Sequence, residues 1–453
     1  MRHVPTTAIA PGPEGHRFLG NLPDVRQDAI GMFLNGANTY GDVVRFRFAN
    51  RVGHLLRHPD HVKHVLVDNF RNYGKQTRGF AALRELLGQG LLTSEGDFWL
   101  RQRRIAQPAF HHQQIARFAE TMTRTTTDLL DAWDAETDLT APIDIADSMM
   151  ALTLRIVGLT LLSRDVAGSA KDVGQALNTI LHLAMGRITR MFDLPQWLPT
   201  KGNRDFDAAK GVLDRLIYEI IAERRAGGDG PQDLLSMLIA ARDPDTGEGM
   251  SDEQLRDEVM TIFLAGHETT ANALTWTWYL LSKNPAVNSQ LEAELDRELG
   301  GRAPTLADLP RLTYSRQVLE ESMRLYPPAW MIARSVKEAD EIGGYSIPAG
   351  SIVFTSPLVS HRHPAFWPNP EGFDPDRFAP TQVAERPKFA YFPFGGGPRL
   401  CIGREFALME AHLIIVTMAQ RYQLHLKAGH PVIMEPVITL RPKHGMQMTR
   451  QRR

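Results

Sequence analysis

FPFGGGPRLCIG, residues 392–403, contains the single cysteine of a chain of 453 residues. Glycines stand at 395, 396, 397 and 403, and Arg399 lies two positions before Cys401. A cysteine met alone reads by default as a small buried hydrophobe. That reading leaves the glycines unexplained, because they cost backbone entropy and are used where a chain must come close to something. As a nucleophile, Cys401 needs a base and a group to orient it; the nearest following histidine is His412, although one could come from elsewhere in the fold. As a ligand, a thiolate gains from backbone N–H donors and from the N-terminus of a following helix.

Composition limits what such a ligand could hold. With one cysteine there is no intrachain disulfide and no zinc site with two thiolates, which suits a reducing compartment. A single soft anionic ligand suits one axial position on a preassembled metal cofactor, and haem iron is the obvious case. Hydrophobic content of 43%, charged content of 23% and a formal net charge of -1 describe an ordinary globular chain. They provide no field for nucleic acid or an acidic membrane surface. The start has no secretory pattern and no apolar run of spanning length. Pro5, Pro11, Pro13 and Pro23 make residues 1–25 an extended entry arm. An unanchored, cytoplasmic protein is expected, with Lys443 to Arg453 a solvated basic tail.

Outward from the cysteine the pattern is mainly α with smaller β-sheets, an α+β class, and residues 1–453 read as one domain. DVVRFRF (42–48) and RVGHLLR (51–57) flank Ala49-Asn50 as a hairpin. Helical runs fill about 110–300, a short strand is expected at SIVFTS (351–356), loop dominates to Cys401, and a helix follows over roughly 403–421. The longest helix starts at Ser251 with Gln254 in a capping box and stops at Asn284-Pro285. Its centre, FLAGHETTANAL (263–274), carries a glycine and adjacent threonines, a poor choice for helix stability alone.

Other chemistries find little support. His267-Glu268 lacks the second histidine of HExxH, since Ala271 stands at its place. The pairs His361/His363 and His111/His112 read as surface or capping residues. No GxGxxG follows a strand and no GxxxxGK[ST] occurs.

Five segments together resemble the cytochrome P450 family. Phe394-x-x-Gly397-x-Arg399-x-Cys401-x-Gly403 is similar to its haem-ligand signature at every fixed position. Ala265-Gly266-x-Glu268-Thr269 resembles its oxygen-activating stretch, Glu321-x-x-Arg324 its ExxR pair, and Trp99-x-x-x-Arg103 its WxxxR element. Asp376-Arg377-Phe378 resembles its PERF-like segment, with aspartate in the usual glutamate place. ExxR or WxxxR alone has no weight; five segments in order over some 300 residues do.

The resemblance implies the fold of that family, with a long central helix over heme b and a cysteine loop beneath it. It implies Cys401 as the axial thiolate, Phe394 as its shield, and Arg399, Trp99, Arg103 and Arg334 as holders of the haem propionates, since guanidinium suits carboxylate. Ala265, Gly397 and Gly403 complete the residues against the cofactor. Glu268 and Thr269 become the acid–alcohol pair that delivers protons to oxygen, and Gly266 a point where the helix deforms. Glu321, Arg324 and Arg377 form a structural ion-pair network. Pocket residues are expected at Leu264, Ala329, Trp330, Met331, Ile332 and Thr439, within wider segments 78–92, 180–192 and 438–440.

The implied function is a monooxygenase that inserts one oxygen atom of O2 into a hydrophobic small molecule such as a fatty acid or terpenoid. A hydrogen-peroxide-dependent peroxygenase and a non-catalytic haem ligand-binding protein are the alternatives. With no membrane anchor and no fused reductase, a monomer would take electrons from a ferredoxin or flavodoxin and its NAD(P)H-dependent reductase. Arg386, Lys388 and Arg404 are the expected docking charges.

Overall fold

The computed structural model describes residues 8–165, 170–189, 197–226, 233–243 and 245–453. Its organising element is the central helix Asp252–Lys283. The Ser251 hydroxyl accepts the Gln254 N–H and the Gln254 side chain accepts the Ser251 N–H, so the expected capping box forms. Asn284 ends the helix and Pro285 opens the next, Pro285–Leu299. At 1.5 Å per residue the central helix is a rod of about 48 Å. Trp276 and Trp278 are buried along it, and helices Ile145–Leu161, Thr313–Leu325 and Arg404–Ala419 pack on it.

Gly266 serves packing rather than deformation. The helix runs unbroken through it, and a Cβ there would stand 3.3 Å from Val157 Cγ2. The helix Ile145–Leu161 can therefore come close, and the Thr153 hydroxyl donates to the His267 carbonyl at 3.0 Å.

Strands gather at the periphery. Val43–Phe48 (β1) and Arg51–Leu56 (β2) form the expected hairpin, with Phe48 opposite Arg51. With Tyr73–Gly74 (β3), Ile332–Val336 (β4) and Ile352–Thr355 (β5) they make a five-stranded sheet in the order β1-β2-β5-β4-β3. Only the β2–β5 pairing is parallel. The described part of the entry arm bridges two sheets: Arg45 N of β1 donates to Pro11 O, and Ser346 N, in the separate hairpin of Asp340–Ile342 and Tyr345–Ile347, donates to Ala8 O.

The basic C-terminus corrects the expected tail. Gln447–Arg452 is a strand paired with Tyr422–Leu426. Alternation turns Met448 and Arg450 inward, Arg450 pairs with Glu136 at 2.5 Å, and Arg453 with Asp296 at 2.9 Å. The positive charges are used within the fold, against carboxylates far away in sequence. Among the described residues no helix is long and apolar enough to cross a membrane.

Candidate active site

The cysteine loop is shaped by two left-handed glycines, Gly395 at φ 72° and Gly397 at φ 65°. A Cβ on Gly397 would stand 1.9 Å from the Leu66 carbonyl oxygen, so any other residue would break the packing there. Cys401 N donates to Phe394 O at 3.1 Å and closes the loop. Helix Arg404–Ala419 then begins. Burial pushes the Cys401 thiol up, while a hydrogen bond from the Gly403 N–H and the charges of Arg103 and Arg404 pull it down. The loop glycines thus shape the backbone, and the donor seen at the sulfur is Gly403.

Cys401 opens onto a cavity of about 1650 Å³. Phe394, Gly395 and Arg399 share its side, and Leu264, Ala265, Glu268 and Thr269 of the central helix face them. Arg103, Arg334, Arg399 and Lys75 also reach this cavity. Burial, then repulsion from Arg334, lowers Arg399 to about 10, and burial lowers Arg334 to about 10 as well. Lys75 is driven well down by burial and by Arg399 and Arg334. Glu95 is the carboxylate that offsets all three. A buried surplus of positive charge is costly unless anions meet it, and two carboxylates at the cavity edge would do so. The residues present therefore fit haem, with a thiolate on one side and donors for two propionates.

The three neighbouring arginines of one helix separate cleanly. Arg101 pairs with Asp243 and Glu248, and Arg104 with Asp245, whereas Arg103 turns to the cavity and burial lowers it. Trp99 lies beneath the Arg399 guanidinium, 3.6 Å from its ring centre, a cation–π contact that fixes the fork. Arg399 also donates to Ser94 O at 2.9 Å.

Lys75 was not legible in the sequence. It is 5% exposed and donates to Leu92 O at 2.6 Å, a place created by strand pairing and by Glu95, which accepts Lys75 N at 2.6 Å. Replacing it in Lys75→Met is expected to make the apoprotein more resistant to urea. The same variant should speed haem transfer to apomyoglobin by about tenfold, as for a lost charge-assisted hydrogen bond. Unchanged transfer would exclude a propionate contact.

Across the cavity, the Thr269 hydroxyl donates to Ala265 O at 2.6 Å. Glu268 is buried, and burial raises its carboxyl above the ordinary range against a hydrogen bond from Thr439. Thr439 donates to Glu268 Oε1 at 2.7 Å and accepts from Asn272 Nδ2 at 3.1 Å. Sequence placed Thr439 in the pocket but not on this carboxylate. Behind them Glu410 is pushed well up by burial, and neither of its carboxyl oxygens has a hydrogen-bond partner among the described residues; nothing in its local sequence marked it.

The ion-pair network lies below. Glu321 and Arg324 are both fully buried and form a two-pronged pair, each contact 2.7 Å. Arg324 also donates to the carbonyls of His361, Pro370 and Gly372. Arg377 approaches Glu321 at 3.4 Å. The His361 ring accepts Phe392 N at 2.9 Å, and among the described residues no group of three or more His, Cys, Asp or Glu is placed to hold a metal.

Leu264, Ala329, Trp330, Met331, Ile332 and Thr439 all line the cavity, as do Leu91, Leu92 and Ile438. No described side chain of 180–189 does, and 190–192 lie outside the described residues. Arg386 does not fit its expected docking role. It is half-buried, stacked 3.9 Å from the Trp367 ring centre, and donates to Arg377 O at 2.5 Å.

The sequence profile described as Cytochrome P450 matches residues 10–449. The chain is 42% identical to cyclooctatin synthase of Streptomyces melanosporofaciens, over 90% of this chain and 88% of that protein. It is 38% identical to cyclooctat-9-en-7-ol 5-monooxygenase of the same organism, over 94% and 91%. Among solved structures, the cytochrome P450DA heme domain superposes with a TM-score of 0.90 at 31% identity, covering 99% of this chain and 98% of that one.

Proposed function

The chain belongs to the cytochrome P450 family, and from that premise we propose that its monooxygenase activity is directed at a terpenoid-type lipophile. The protein is a haem-thiolate monooxygenase that places one atom of O2 into a hydrophobic small molecule. Two relatives carry names for enzymes of cyclooctatin chemistry, one of them acting on an unsaturated alcohol. The largely apolar wall of Leu91, Leu264, Ala329, Trp330, Met331 and Ile438 supports a substrate held by shape, with few polar fixings.

In this reading haem, when bound, supplies oxygen activation at an iron whose thiolate ligand favours O–O cleavage. The residues divide the remaining work. The Gly403 N–H and Arg103 favour the ionised sulfur of Cys401, and Phe394 keeps water from it. Arg103, Arg334, Arg399 and Lys75 neutralise the propionates, with Trp99 orienting Arg399. Glu268, raised by burial, stores a proton while Thr439 fixes the position of its carboxyl, and the Thr269 hydroxyl can exchange its Ala265 carbonyl for a partner in the cavity. Electrons come from a separate ferredoxin or flavodoxin with its reductase, in the cytoplasm. Lys388 and the exposed Arg404 remain as docking charges on the cysteine side.

The observation that carries the reading is Cys401 and a cluster of cations facing Glu268 and Thr269 across one cavity. The reduced, carbon-monoxide-bound protein should show the strongly red-shifted Soret band of thiolate ligation, and terpenoid alcohols should shift its spin state. Turnover with O2 and a redox chain should exceed turnover with peroxide. The reverse order would establish the peroxygenase, and tight binding without any oxidised product the ligand-binding protein. In Thr269→Ala, oxygen consumption should persist while product per electron pair falls by about tenfold or more. Unaltered coupling would remove Thr269 from the proton path.

A further inference from the structure

Two acidic residues of the central helix, one to two turns past its start, hold a loop that neither haem ligation nor proton delivery explains. Asp257 accepts Gln89 N at 2.7 Å and Glu258 Oε2 accepts Leu91 N at 3.0 Å. The loop can lie so close only because of its glycines. Gly88 has φ +53°, and a Cβ on it would stand 2.1 Å from the Asp257 carboxylate. A Cβ on Gly90 would stand 2.1 Å from Thr261 Oγ1 and 2.7 Å from Asp257 O. Immediately beyond, Leu91 and Leu92 line the cavity. Leu92 O accepts from Lys75 and Ser94 O from Arg399, so residues 89–94 run from the central helix to the cations.

We propose that Glu258, together with Asp257, is a positioning residue for substrate: the two carboxyl groups clamp Gly88–Leu92 to the central helix and so set where Leu91 and Leu92 stand in the pocket wall. The proposal rests on the haem-enzyme reading above and assigns specificity to groups that do not touch the substrate.

Glu258 has a further property. Its Oε1 is buried with no hydrogen-bond partner among the described residues, and burial raises its carboxyl to about 8, with the Leu91 N–H pulling it partly back and the Asp257 charge adding to the rise. Around it, Arg256 is committed to Asp214 of the facing helix and to Asp257. Tyr218 of that helix feels the same charges. Among the described residues no cation faces Glu258 itself. The closed clamp holds one more proton than an open, hydrated loop between pH 4.5 and about 8. Closure therefore weakens as pH rises through that window and levels off above it.

The test uses the holoenzyme and its Glu258→Gln and Glu258→Ala variants, titrated with imidazole, which ignores the wall, and with clotrimazole, which must fit it. Glu258→Ala should bind clotrimazole about tenfold more weakly, the value of one lost buried hydrogen bond, with imidazole within about twofold. Glu258→Gln keeps an acceptor for Leu91 and should bind both as the wild type does. Hydrogen exchange at the Leu91 amide should show opening that grows from pH 5 to 8 in the wild type and stays flat in Glu258→Gln. Clotrimazole binding unmoved in Glu258→Ala, both azoles weakened alike, or wild-type opening independent of pH would each overturn the clamp. A wild type without a thiolate-type Soret band would instead overturn the haem-enzyme reading, and the exchange measurement would still judge the clamp.

Discussion

Arg324→Ala yields a protein that accumulates without haem or not at all. Glu321 would be left fully buried, facing the Asp374 N–H at 3.0 Å and Arg377 at 3.4 Å. Three carbonyls, of His361, Pro370 and Gly372, would lose their donor. Breaking a buried pair from one side costs on the order of 3–5 kcal/mol, a large part of the 5–15 kcal/mol that ordinary domains possess. Arg324→Lys should rescue little, because an ammonium cannot match the planar fork that here serves a carboxylate and three carbonyls at once. Urea midpoints and haem content of soluble protein measure the effect. Arg324→Ala protein with normal haem content and a midpoint near the wild type would show that the network is dispensable.

Cys401→Ser has the second large effect, and it is chemical rather than structural. The loop is closed by Cys401 N and Phe394 O and held by Gly397 against Leu66, none of which involves the sulfur. The variant should fold and keep the cations of its cavity. It should lose the red-shifted Soret band and lose monooxygenase turnover, since a hydroxyl does not replace the electron donation of a thiolate. A variant that kept both would assign the ligand elsewhere.

These two outcomes separate what sequence made legible from what it did not. The cysteine loop, the capped central helix and the Glu321/Arg324 pair are local, with their spacing fixed by one turn of helix or one loop, so each could be read from consecutive residues. Lys75 and the Glu268–Thr439 bond depend on chain segments 20 to 171 residues apart meeting. Nothing near either residue encodes that meeting. The basic C-terminus misled for a related reason: a run of arginines looks solvated until strand alternation assigns each one an inward or outward face. From sequence Arg386 reads as a docking charge, because the ring of Trp367 that covers it is 19 positions away.

Lys75, Arg103, Arg334 and Arg399 bring a further consequence to the life of the chain in a cell. A newly made polypeptide must bring these like charges together with only Glu95 to offset three of them. Cofactor supply is then part of the folding equilibrium, since a group that binds only the folded form shifts that equilibrium by mass action. The standing amount of this enzyme should follow the availability of iron porphyrin as closely as it follows the rate of translation. Proteases would act as the sensor, removing chains whose cavity wall is still at odds with itself.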